Sequence, residues 1–134
     1  MIADLSGKSA LITGGASGIG RGISLALASQ GSDVAIADKN IEGASKVSEE
    51  VKKLGRHSIA INVDVTDNSS ITAMVNKTVK EFTHLDILIN DAGVVGQPNW
   101  FMRNSPSDDD WDLVHQVNVR GVVKVSESIT PMMI

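Results

Sequence analysis

Apolar residues come in short runs separated by longer segments of helical period. Ala10-Leu11-Ile12, Asp33–Asp38 (DVAIAD), Ser58–Asp64 (SIAINVD) and Leu85–Ile89 (LDILI) are strand-length runs, the third alternating Ile59, Ile61 and Val63. After the first run, Ile19, Ile23 and Leu27 recur at helical spacing, and Gly31-Ser32 marks the end of that helix. Ile41–Leu54 places Ala44, Val47, Val51 and Leu54 on one face with Glu49, Glu50, Lys52 and Lys53 outward, and Gly55 stops it. Thr66 or Asp67 can cap a third helix carrying Ile71, Met74, Val75, Thr78, Val79 and Phe82 inward. Val94–Pro106 is irregular, broken by Gly96, Pro98 and Pro106. Ser107 with Asp108, Asp109 and Asp110 predicts an N-cap and acidic first turn for a last helix reaching about Thr130, ahead of Pro131.

Strand and helix thus alternate four times. Apolar strands joined by helices of crossover length predict right-handed β-α-β units and a parallel sheet covered on both faces. The expected fold class is α/β, a doubly wound sheet of strand order 3-2-1-4, with a ligand crevice beside strands 1 and 4. Residues 1–134 form a single domain in this reading. At 42% apolar and 21% charged residues, the chain is not of disordered composition. Its net charge of −4 and the lack of any basic cluster beyond Lys52-Lys53 argue against nucleic acid. With no cysteine there is no disulfide or thiolate chemistry. No apolar run approaches membrane-spanning or signal length, so a cytoplasmic protein that does not engage a membrane is expected.

The candidate chemistry starts at Lys8–Gly20 (KSALITGGASGIG), a strand running into a glycine turn and then a helix. Backbone N–H groups at such a helix start, aided by its dipole, receive a phosphate, and missing Cβ atoms let it approach. Asp38, closing the second strand, can accept from both ribose hydroxyls of an adenosine half and repels a 2′-phosphate, which predicts NAD over NADP. Lys39 beside it is a cation that could serve a phosphate, whereas Ser17 is not basic.

Asp64, with Val65, ends the third strand on the same sheet edge. It can accept from an adenine amino group or cap the next helix. In Asn90-Asp91-Ala92-Gly93, Asn90 can fasten strand ends together, while Ala92 and Gly93 leave room for ribose and phosphate. Asn118 is an unfavourable helix-interior residue, and Gly121 weakens the helix further; a local kink holding a water or carbonyl toward the crevice accounts for both. His57, His84 and His115 are scattered, so no metal site is expected. Trp100, Phe101 and Trp111 read as packing or lid residues.

Together, Thr13-Gly14-Gly15-Ala16-Ser17-Gly18-Ile19-Gly20, Asp38, Asp64-Val65, Asn90-Asp91-Ala92-Gly93 and Asn118 resemble the short-chain dehydrogenase/reductase family, whose fold is Rossmann-like. The family usually has Asn where Asp91 stands, so this chain carries an added carboxylate beside the pocket. The resemblance implies a nicotinamide dinucleotide cofactor bound by Gly14, Ser17, Gly18, Ile19, Gly20, Asp38, Asp64, Val65, Asn90, Ala92 and Gly93. It implies hydride transfer with a secondary alcohol or ketone, and Asn118 matches the residue that anchors a water in the family's proton relay. The family's Tyr-x-x-x-Lys has no counterpart, since the chain contains no tyrosine, and by the resemblance the family's catalytic Ser is expected after Ile134. The 134 residues are therefore expected to be a cofactor-binding N-terminal half without ordinary turnover. A bare strand edge and an over-apolar last helix predict self-association or a homo-oligomer. The alternatives are a non-catalytic nucleotide-binding or interaction module, and an epimerase-type relative.

Overall fold

The computed structural model describes residues 3–134. Four parallel strands, β1 (Ser9–Thr13), β2 (Asp33–Asp38), β3 (Ser58–Asn62) and β4 (Ile87–Asn90), lie in the order β3-β2-β1-β4. This is the expected doubly wound α/β arrangement. Helix α1 (Gly18–Ser29) links β1 to β2, α2 (Ile41–Lys53) links β2 to β3, and α3 (Asn68–Glu81) leads to β4. A long connection containing a short 3-10 turn (Trp100–Met102) leads to α4 (Asp108–Val114), a π-helical segment (His115–Gly121) and α5 (Val122–Ile129).

Strand alternation divides the core into two layers. Ala10, Ile12, Val34 and Ile36 face α1 and α2, packing on Ala28, Ala44, Val47 and Val51. Leu11, Ala35, Ala37 and Ile61 face the other side, with Ile71, Met74, Val117, Val125 and Ile129. Between its terminal aspartates β2 is continuously apolar, Val34 to Ala37, because both of its faces are covered, as a central parallel strand requires.

Several expectations shift. The fully buried α1 stripe is Gly20, Ser24 and Ala28; Ile23 and Leu27 pack half-buried against the same layer, and Ile19 is 74% exposed. Small residues let α1 lie close to the sheet, and the Ser24 hydroxyl is satisfied by donating to the Gly20 carbonyl at 2.8 Å. Leu54 and Val79 are exposed rather than inward, the first at the α2 C-cap and the second on the far side of α3. β3 stops at Asn62, because the Asp64 N–H turns to the Ser70 hydroxyl at 2.8 Å instead of continuing the ladder. The last helix is not one α-helix but α4, π segment and α5 in series, with a widened turn in place of a kink. Gly121 is buried there, and a Cβ on it would come within 2.8 Å of Val65, so close packing explains that glycine.

Trp100, Phe101 and Trp111 do not enter the core. All three are at least 46% exposed, and the two tryptophans line a separate cavity of about 350 Å³ beneath the β4–α4 connection. β4 forms one margin of the sheet, paired on one side only.

Candidate functional site

The strand register sets the site. Thr13 of β1 lies opposite Ala37 of β2 and Asn90 of β4, so three strands end together at one edge of the sheet. At that edge opens a cleft of about 430 Å³. Gly14 and Ser17 form one part of its wall, Asp38 and Lys39 a second, Val63–Thr66 a third, and Asp91–Val94 a fourth, with Leu113 and Val117 behind. This is the crevice expected where strand order reverses.

Its floor is the turn from β1 into α1. Gly14 has φ +71°, and a Cβ there would lie 2.7 Å from the Ala92 amide nitrogen. At Gly20 a Cβ would lie 2.1 Å from the Gly14 carbonyl oxygen, so the turn closes only over a glycine. Gly18 differs: its φ is +56°, yet a Cβ would meet nothing within 4 Å. Space over Gly18 is open, and an incoming group can press directly on its backbone.

The start of α1 is also chemically distinct. Asn40 caps α2, Asp67 caps α3 and Ser107 caps α4, each accepting a backbone N–H from its own first turn. Ser17 at the α1 N-cap makes no such side-chain bond. The first amides of α1 therefore keep unspent donor capacity at the positive end of the helix dipole.

Asp38 stands beside this turn. One of its oxygens accepts from the Ala16 N–H (3.0 Å) and the other from the Asn40 N–H (2.9 Å), which aims the carboxylate along the cleft wall. The Gly15 N–H donates to the Ala37 carbonyl at 3.3 Å, tying the turn to the end of β2. Asp64 accepts from the Thr66 hydroxyl (2.6 Å) and the Thr66 N–H (2.9 Å), and lies 3.9 Å from the Lys39 ammonium. The Thr66 hydroxyl bond, then its amide, then the Lys39 charge hold Asp64 below the usual carboxylate pKa.

The cleft thus gathers Gly14, Ser17, Asp38, Asp64, Val65, Ala92 and Gly93. Gly18, Ile19 and Gly20 continue the turn into α1 without lining it. Asn90 is turned away: its amide donates to the Ser126 hydroxyl of α5 at 3.2 Å, so it fastens β4 to a helix rather than strand to strand. Asn118 also stands outside the lining, but its amide holds both backbone groups of Val94, which lies on the rim.

Sequence reading passed over three contributors. Leu113 and Val117, at helical i, i+4 spacing, form the apolar back wall, and that spacing was the available signal. Asp110, read only as part of an acidic first turn, is 3% exposed and gathers the β4–α4 connection. It accepts from the Gln97 N–H (2.7 Å), the Ser107 N–H (2.8 Å) and the Arg103 guanidinium. With Ser107 it completes a capping box, which Ser-x-x-Asp spacing signals.

Comparison with known proteins agrees with this architecture. The pattern that defines the short chain dehydrogenase family matches residues 8–134. The chain is 40% identical over 128 residues to the 3-oxoacyl-[acyl-carrier-protein] reductase FabG of Staphylococcus aureus, covering 95% of this chain and 51% of that protein. It is 39% identical over 129 residues to the 2,3-dihydro-2,3-dihydroxybenzoate dehydrogenase of Bacillus subtilis, covering 96% and 48%. The 3-ketoacyl-(acyl-carrier-protein) reductase of Brucella melitensis, solved with NADH, superposes with a TM-score of 0.83 at 32% identity, covering 96% of this chain and 51% of that one. The chain spans about half the length of the curated relatives it matches. It belongs to the short chain dehydrogenase family.

Proposed function

We propose that residues 1–134 form one dinucleotide-binding domain and that its cleft takes NAD(H), as part of an oxidoreductase acting between a secondary alcohol and a ketone. The observation that carries this reading is that Ser17, the α1 N-cap that spends no side-chain bond on its own helix, lines the same cleft as Asp38. A diphosphate fits where amides have unspent donors and where Gly18 leaves its backbone accessible. The bound nicotinamide would supply the hydride acceptor or donor.

The chain's own residues bind and orient. Gly14, Ser17, Gly18, Ile19 and Gly20 form the cradle. Asp38 accepts from the adenosine ribose and disfavours a 2′-phosphate, which selects NAD over NADP. Asp64 and Val65 flank the adenine. Ala92 and Gly93 give the remaining ribose and phosphate room, with Asn90 behind them holding β4 to α5. Asn118 is an auxiliary residue of the relay, acting through the rim that it clamps at Val94. The chain has no tyrosine for the family's acid/base role, so binding without turnover is the expected behaviour of these residues alone. The NADH complex of the Brucella melitensis reductase supports the choice of cofactor.

Titration of the chain with NADH, followed by cofactor fluorescence, tests the reading. Saturable binding that NADPH reproduces only weakly supports it. A folded chain that binds neither dinucleotide overturns it.

A further inference from the structure

The Asp91 carboxylate has no evident role in the fold. Its backbone N–H donates to the Thr13 carbonyl at 3.2 Å, which fixes the residue at the end of β4. Its side chain leans over the glycine turn, with one oxygen only 2.7 Å from the position a Cβ would take on Gly20. Among the described residues no donor reaches this carboxylate. No buried side-chain oxygen among them lacks a partner, so the carboxylate meets solvent in the cleft that it lines with Gly14 and Ser17. Asp110, the buried carboxylate among the described residues, is in contrast surrounded by donors.

A free carboxylate against the first turn of an uncapped helix sits in the part of the cleft that attracts anions. We infer that Asp91 is an internal anion that opposes any phosphate entering the cradle, and so sets how weakly the chain holds a diphosphate ligand. This rests on the dinucleotide reading above. The physics is like-charge repulsion at short range in a half-enclosed site, where solvent screens less than at an open surface. Replacing the carboxylate by its amide isostere keeps the shape, removes the charge and adds a donor.

The test compares wild type with Asp91→Asn and Asp91→Ser for binding of NADH, ADP-ribose and adenosine by calorimetry, with circular dichroism to confirm folding. Both variants are expected to bind NADH and ADP-ribose roughly ten-fold more tightly at low ionic strength, the effect of one like charge a few ångströms away. That gain should shrink as salt is raised toward 1 M. Adenosine, which carries no phosphate, should bind all three proteins equally. Wild-type-like or weaker affinity for ADP-ribose in folded Asp91→Asn or Asp91→Ser overturns the inference while leaving the dinucleotide reading intact. An equal gain for adenosine also overturns it, since the effect would not then act on phosphate. No binding of NADH or ADP-ribose by any of the three folded proteins removes both.

Discussion

Asn118 and Val94 are joined by a two-point clamp: the Val94 N–H donates to the Asn118 side-chain oxygen at 2.8 Å, and the Asn118 amide donates to the Val94 carbonyl at 2.8 Å. The pair links the π segment to the chain leaving β4. A side-chain amide carries an acceptor oxygen and donor N–H groups side by side, so it serves a backbone C=O and N–H at once.

Replacing Asn118 by Leu should therefore release Val94. Each exposed hydrogen bond contributes about 0.5–1.5 kcal/mol, so a global loss of roughly 1–2 kcal/mol is expected in urea unfolding. The sharper measurement is hydrogen exchange at the Val94 amide, which should accelerate well beyond the global change. Unaltered exchange there would show that the clamp does not form in solution.

Gly18 and Gly20 should separate binding from folding. Gly20→Ala drives a methyl group into the Gly14 carbonyl and the Asp91 side chain, so stability should fall by about 2–4 kcal/mol, in the range of severe overpacking. Gly18→Val places its Cβ where nothing lies within 4 Å but must hold φ +56°, costing about 1–2 kcal/mol, while its branches fill the space above the turn. It should fold and lose NADH binding. Thermal unfolding and fluorescence titration of both proteins check the contrast.

Asp38 is oriented by two backbone N–H groups before any ligand arrives, so its effect on cofactor choice should be large. Asp38→Ala should weaken NADH binding roughly ten-fold or more, the worth of a charge-assisted hydrogen bond, and weaken NADPH binding less or not at all. The informative quantity is the NADH-to-NADPH affinity ratio. A ratio unchanged by the substitution would move the ribose site elsewhere.

Acid should loosen the β4–α4 connection through Asp110. Backbone N–H donors from Ser107 and Gln97, followed by the Arg103 guanidinium and the Ser107 hydroxyl, hold its carboxyl far below the usual range. A group depressed in the folded state contributes its stability in full above the unfolded value, near pH 4, and loses it progressively as pH falls below that. Wild type should thus lose thermal stability between about pH 5 and pH 3 more steeply than Asp110→Asn, which should already be less stable at pH 7. Parallel pH profiles for the two proteins would remove Asp110 from this role.

The fold was legible because a strand covered on both faces leaves a short unbroken apolar run between polar ends: β2 begins and ends at the expected residues, Asp33 and Asp38. Legibility failed where tertiary contact overrides local pattern. Ile19 keeps helical spacing with Ile23 and Leu27, yet the sheet accepts the smaller Gly20, Ser24 and Ala28 because the helix must come close. In the site, the glycine turn and Asp38 were readable from spacing alone. The back wall and the turned-away side chain of Asn90 were not, since both depend on how the helix after Ser107 folds across the strand ends. Asn118 and Gly121 marked an anomaly whose form, a π turn packed on Val65, came only with the structure.

The widened turn at His115–Gly121 also makes the helix editable. A π turn holds one residue more than an α turn, so excising the exposed Val119 should let the helix re-zip as continuous α without rotating Val125 and Ile129 off the sheet. Such a shortened chain would keep Val125 and Ile129 seated while Asn118 swings out of reach of Val94 and Val117 turns from the layer beside it, leaving a protein anchored at its far end and unmoored at its mouth.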